Sequence, residues 1–177
     1  MYLSEFKKVL KFMTSLLERA DIDSGSVRVG AALYREQGVV IFDLQAYRTK
    51  KEIIEAIDRI PFNFKSSRAS LAAGINVVRD QMFENSAGDR PDIPNGLIVI
   101  TDSNSNIDVN EIPEASSELK DEGTTVFSIG IGLENPDEIV SVASNQEFSY
   151  ILNDVAQLPA ITRRLQDRLP SCRFSFN

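Results

Sequence analysis

The chain has 177 residues, 42% hydrophobic and 25% charged, which is the balance of one globular domain long enough to bury a core. A net charge of −7 argues against nonspecific nucleic-acid binding, which needs a basic face, and is compatible with cation binding. The absence of His excludes His-based catalysis and His-ligated zinc, the single Cys172 excludes an intrachain disulfide, no apolar run approaches a membrane span, and the N-terminus shows no signal-peptide pattern.

Taken in order, Ser4 to Ala20 reads as an amphipathic helix with Ser4 as N-cap and Phe6, Val9, Leu10, Met13, Leu16 and Leu17 at helical spacing. Asp21 to Ser26 is a turn. Ser26 to Tyr34 alternates as a strand, with Val27, Val29, Ala31 and Leu33 on one face. Arg35 to Gly38 is too short for a crossover, so Val39 to Leu44 must return as an antiparallel partner. Thr49 to Ile60 is a helix that Pro61 prevents from continuing, and a Ser-rich loop, Phe62 to Arg68, follows it. Ala69 to Phe83 is a further helix. Glu84 to Asn95, with Gly88, Pro91 and Pro94, is a surface loop.

Gly96 to Ser103 organises the rest. Leu97-Ile98-Val99-Ile100 is a continuous apolar run that stops at Thr101-Asp102-Ser103-Asn104, the pattern of a strand buried on both faces. In an open parallel sheet, ligands are met beyond the carboxyl ends of such strands, which makes Asp102 a candidate ligand as well as a candidate turn cap. Beyond it come a helix from Ile112 to Glu122 closed by Gly123, and a strand from Thr124 to Gly132. A short helix from Asp137 to Ala143, a strand from Phe148 to Leu152 and a closing helix from Val155 to Leu169 complete the pattern. Strands alternating with helices imply an α/β fold: a doubly wound, mostly parallel, Rossmann-like sheet with one antiparallel edge strand and helices on both faces.

The residues that follow occur in one order through nearly the whole chain. They are Phe6-Lys7-Lys8-Val9, Val27-Arg28-Val29-Gly30 with Tyr34, Lys51 to Ile57 with Ile60-Pro61, and Val78-Arg79-Asp80. Gly88-Asp89-Arg90-Pro91, Leu97 to Asp102, Leu119 to Gly123 and Val126 to Gly132 continue the series. Together they resemble the von Willebrand factor type A domain of matrilins, collagen VI and related matrix proteins. The resemblance implies a metal-ion-dependent adhesion site above the sheet, built from an Asp-x-Ser-x-Ser run after the first strand, a middle-loop Thr and an Asp after the fourth strand. Asp102 matches that last ligand. The middle-loop position falls on Ser67 counting forward from Ile60-Pro61, or on Ser70 counting back from Val78-Arg79-Asp80. Ser66, Ser67 and Ser70 are equally readable as turn and cap residues. Oxygen donors of this kind suit magnesium.

The resemblance also implies a departure. The family's first strand and its Asp-x-Ser-x-Ser run would precede Tyr2. Asp23-Ser24-Gly25-Ser26 is no substitute, because it follows a helix and fails the spacing. Met1 is therefore expected to be an internal Met of a longer protein, the chain being a fragment, a truncated gene model or a shortened transcript product. The strand at the centre of the sheet would be missing, which leaves the strands at Ser26–Tyr34 and Gly96–Asp102 without partners on facing sides. Each buried backbone group so orphaned would cost on the order of 1–3 kcal/mol. The two strands are expected either to close up and pair, or to leave a gap for another chain's strand. The tail Arg173-Phe174-Ser175-Phe176 reads as a donor strand or as linker. Cys172 stands where matrix A domains carry a Cys that pairs with one before the first strand, or is an incidental free thiol.

The expected organisation is an A-like domain over residues 1–170 and a tail over 171–177. The expected function is a non-enzymatic adhesion or protein-interaction module of the extracellular matrix, with magnesium bound weakly or not at all. Collagens, other matrix proteins or neighbouring domains of the same protein would be its partners. The alternative is a metal-independent structural or assembly module. An enzyme reading fails on the residues: Gly130-Ile131-Gly132 lacks the third Gly of a dinucleotide fingerprint, and no Gly-Lys-Ser/Thr phosphate loop occurs.

Overall fold

The structure, a computed structural model, describes residues 2–62 and 67–169. Met1, Ser66, Cys172 and the tail 171–177 lie outside the described residues, so the expectations placed on them are not addressed below.

Helix α1 runs Leu3–Leu16 and then tightens into a 3-10 turn at Leu17–Arg19. It starts earlier than Ser4 because the Glu5 carboxylate accepts the Tyr2 N–H at 2.6 Å, so the residue closing the first turn is acidic and lies inside the helix. Strands β1 (Ala31–Tyr34) and β2 (Gly38–Phe42) form the antiparallel hairpin. Helix α2 (Lys50–Asp58) opens on a reciprocal cap: Thr49 Oγ1 accepts the Glu52 N–H at 3.3 Å, and Glu52 Oε2 accepts the Thr49 N–H at 3.0 Å. Helix α3 (Leu71–Val77) widens into a π turn at Val78–Met82. Then come β3 (Gly96–Thr101), α4 (Ile112–Asp121), β4 (Thr125–Ile131), α5 (Asp137–Val142), β5 (Ser149–Leu152) and α6 (Leu158–Gln166), with Pro159 in the first turn of α6.

Strands β3, β4 and β5 are parallel and lie in that order, with Ile100 opposite Ile129 and Thr101 opposite Gly130. Strand β4 carries hydrogen-bonded neighbours on both sides, and Val126, Phe127 and Ile129 are fully buried. Helices α1 and α6 cover one face through Val9, Phe12, Leu16, Ile161 and Leu165, while α3 and α4 cover the other through Leu71, Ile75, Ala115 and Leu119. This is the α/β, Rossmann-like layering that the alternation of elements predicts.

Two expectations are corrected. The strand expected over Ser26–Tyr34 is hydrogen-bonded as a strand only from Ala31, because β2 reaches back no further than Phe42 and Val27 to Gly30 have no ladder partner. The hairpin and the parallel sheet also share no ladder among the described residues; they are two sheets rather than one. The strands flanking the expected gap therefore do not close up and pair.

Candidate functional site

The upper rim of the sheet, at the carboxyl end of β3, gathers the polar residues. Asn106 ties two loops together: its Oδ1 accepts the Ala69 N–H at 2.9 Å and its Nδ2 donates to the Ser67 carbonyl at 2.8 Å. Ser105 does the same one residue earlier, its Oγ accepting the Leu71 N–H at 3.0 Å. The Ser105 N–H and hydroxyl both donate to the Glu138 carboxylate, at 3.0 Å each, from the first turn of α5. The loop after β3 is thus held between the loop before α3 and the start of α5.

Tyr34, at the end of β1, reaches this rim from the other sheet. Its side chain shares a hydrogen bond with Thr101 and stands in the field of Glu138 and Asp102. Although Tyr34 keeps some exposed surface, its phenol end is enclosed, and burial, reinforced by those two carboxylates against the Thr101 hydrogen bond, pushes the group up to about 12. Gly74 makes this position possible: a Cβ there would stand 2.7 Å from the Tyr34 ring.

Asp102 is half-buried where the strand ends, as its sequence position predicts. Ser67 is exposed beside Asn106. Ser70 is fully buried, and its Oγ accepts the Ala73 N–H at 3.1 Å as the N-cap of α3, so its hydroxyl holds the helix start. Asp23 to Ser26 is the expected turn: the Ser24 hydroxyl donates to Asp21 at 2.6 Å, which holds the Asp21 carboxyl below its ordinary range. Among the described residues no group of three or more Asp, Glu, His or Cys side chains gathers to hold a metal ion. A hard cation such as magnesium takes about six oxygens in near-octahedral array. One carboxylate and one serine hydroxyl do not meet that demand, so the residues present do not by themselves fit a resident ion.

Sequence reasoning missed Tyr34, Ser105, Asn106 and Glu138 as rim residues. The polar run Ser103 to Asn106 directly after a buried strand is the signal that could have found two of them.

A family model described as "von Willebrand factor type A domain" matches residues 1–164. The chain belongs to the von Willebrand factor type A domain family. Among its relatives, the human collagen alpha-6(VI) chain is 30% identical over 159 residues, spanning 89% of this chain and 7% of that protein. Human vitrin is 28% identical over 162 residues (90% and 23%), and chicken matrilin-1 is 26% identical over 166 residues (93% and 33%). The chain thus spans a third or less of the length of these three relatives. In fold it matches proximal thread matrix protein 1 from the mussel byssus with a TM-score of 0.85 at 23% identity, covering 93% of this chain and 42% of that one. A second structure of that protein, described with a zinc-occupied MIDAS motif, matches at 0.82 and 22% identity. As a type A domain the chain is a non-enzymatic module. Asp102 directly follows β3, and no helix among the described residues is long and apolar enough to cross a membrane.

Proposed function

We propose that this type A domain is an extracellular-matrix adhesion module whose metal-ion-dependent site is incomplete. Asp102 and Ser67 would be its remaining donors, with Ser70 as the rival for Ser67. The observation that carries the reading is the family match along residues 1–164, with relatives among collagen VI chains and matrilins, together with Asp102 at the carboxyl end of β3. Matrix proteins such as collagens, or neighbouring domains of the same protein, are the partners, and the setting is extracellular. Two oxygen donors leave magnesium bound weakly or not at all. The test is thermal unfolding of the purified chain across a magnesium titration, paired with binding to immobilised fibrillar collagen in magnesium and in EDTA. Collagen binding that weakens in EDTA and in Asp102→Ala supports an adhesion site with a surviving metal function; no collagen binding in either condition refutes the adhesion reading.

A metal-independent assembly module is the second reading, and one observation favours it. The rim loops are already held by Ser105, Asn106 and Glu138 through protein hydrogen bonds, and Ser70 is engaged as a cap, so their order needs no ion. Collagen binding or neighbour-domain binding that is indifferent to EDTA selects it.

A further inference from the structure

Charge is segregated along this chain. Between Arg90 and Arg163 the only base is Lys120, while acids recur from Asp92 to Asp154. The other bases fall on the remaining elements, and one group of them stands on helices α1 and α6.

These two helices lie side by side and run in the same direction. Their carboxyl ends meet: Gln166 Nε2 donates to the Ser15 carbonyl at 2.9 Å, and the Arg19 guanidinium pairs with Asp167. Toward its amino end α1 also meets the Val155–Gln157 turn that precedes α6. Ser15 and Arg19 therefore mark the side of α1 that faces α6. Helical spacing puts Lys8 and Lys11 on the same stripe, two turns and one turn before Ser15. Gln166 and Asp167 mark the opposing side of α6, and Arg163 stands on it one turn earlier.

The outer seam between the helices is thus a furrow with Lys8 and Lys11 on one bank and Arg163 on the other, closed at its carboxyl end by the Arg19–Asp167 pair. From Lys8 to Arg19 it is about 17 Å long, and its banks are about 8–10 Å apart. Lys7 lies further round α1, and Arg164 further round α6. All five of these bases are exposed, and among the described residues their side chains make no hydrogen bond or ion pair. The acids nearby are engaged: Glu5 accepts the Tyr2 N–H, Asp154 accepts the Ala156 N–H, and Asp167 holds Arg19. Glu18 lies two turns beyond Lys11. Lys7 and Lys11, one turn apart, are like charges that weaken an isolated helix.

The furrow suits one class of anion. A folded protein partner buries large apolar side chains at the centre of its interface, and neither helix exposes one along the furrow. A single-stranded nucleic acid stacks its bases on exposed aromatic rings, and the furrow has none. A broad anionic surface would be brought against the acidic half of the domain. A linear polyanion confined to the seam meets none of these obstacles. Its anionic groups find cations on both banks, and ammonium groups on flexible stems tolerate irregular spacing between them.

We propose that the α1/α6 furrow is a binding site for a linear sulfated polysaccharide. Lys8, Lys11 and Arg163 contact the chain, and Lys7 and Arg164 add longer-range attraction. The proposal shares the extracellular setting of the adhesion reading but none of its rim residues, so either can fail alone: Asp102→Ala reports on the rim, and the variants below report on the furrow.

The test is a fluorescence titration of the full chain with a labelled heparin oligosaccharide across a salt series. Saturable binding is expected, with log K falling against log salt at a slope of roughly −2 to −3 for three cations engaged. The double variant Lys8→Ala/Lys11→Ala should bind at least about tenfold more weakly at about 0.1 M salt and lose about 1–2 from the slope. Lys51→Ala/Arg59→Ala removes the same charge from α2 and should change affinity less than about threefold. Unchanged melting temperatures show that both variants fold. If the furrow variant does not fold, Arg163→Gln takes its place, with a loss of at least about threefold expected. Absent saturable binding overturns the proposal. Equal losses in the furrow and α2 variants, or a furrow variant that binds like the parent, overturn it as well. So does equal affinity for a single-stranded oligonucleotide of matched charge or for phosphatidylserine vesicles, because the furrow would then be reading charge alone.

Discussion

Ile100 and Ile129 are the same side chain on the same face of the sheet, directly opposite one another in the β3–β4 register, and both pack toward α1 and α6. They differ in what lies on their far side. Ile129 is fully buried between two strands; Ile100 is half-buried and lines the cavity between β1 and β3. Truncation of a fully buried Ile to Ala removes the transfer free energy of its methyl and methylene groups and leaves a cavity, about 2–5 kcal/mol together. Ile129→Ala has no room to relax and should fall near ~4 kcal/mol on that scale. Ile100→Ala removes atoms that already border that cavity, creates little new empty space, and should cost about 1–2 kcal/mol. The assay is equilibrium urea unfolding of the two variants and the parent with a common m-value, so that midpoint differences report stability alone. The predicted gap of roughly 2 kcal/mol corresponds to a factor of about 30 in the folded-to-unfolded ratio. Equal costs at the two positions would refute the reasoning, because they would mean that the free side of β3 is covered in solution as completely as β4.

Tyr34 sets an alkaline limit. Its folded pKa of about 12 lies above the ordinary value of 10, so the folded state holds the proton more tightly than the unfolded state. The contribution is complete below pH 10 and is lost as pH rises toward 12; a urea midpoint that falls over that window, and falls less in Tyr34→Phe, is the expected outcome. Ser70→Ala removes the cap of α3 and should destabilise by about 1 kcal/mol in magnesium and in EDTA alike, whereas a cost confined to magnesium would place Ser70 at the metal. Gly88 adopts φ 93°, and a Cβ there would lie 2.8 Å from the Gln45 Cβ, so Gly88→Ala should lower stability by about 1–3 kcal/mol; an unchanged melting temperature would contradict this.

The parallel sheet was legible because its strands carry their burial in their sequence. Leu97 to Ile100 reads as a continuous apolar run and Thr124 to Gly132 as a strand, and the structure places them side by side. Helix centres were equally legible, with Ile53 and Ile57 or Leu71 and Ile75 facing inward as their spacing requires. Ends were less so. The α1 start depends on Glu5 reaching back to Tyr2, and the end of α3 on a π turn, neither of which periodicity encodes. Asp102 was visible because it terminates a strand. Tyr34 and Glu138 were not, because they meet the rim from the other sheet and from α5, 68 and 36 residues away from it in sequence.

The residues along the facing edges of β1 and β3 are mostly half-buried and line one cavity. Apolar packing crosses between the two sheets through the helices. Within α1, Val9, Phe12 and Leu16 pack with the parallel sheet, Phe6 and Leu10 pack with the hairpin, and Met13 touches both groups. Across the other face, α3 joins Val99 through Leu71 and Ile75, and its last residues, with the π turn, meet Ala32 and Val40 of the hairpin through Val77 and Val78. Among the described residues the two sheets are therefore held together by helix side chains and share no backbone ladder.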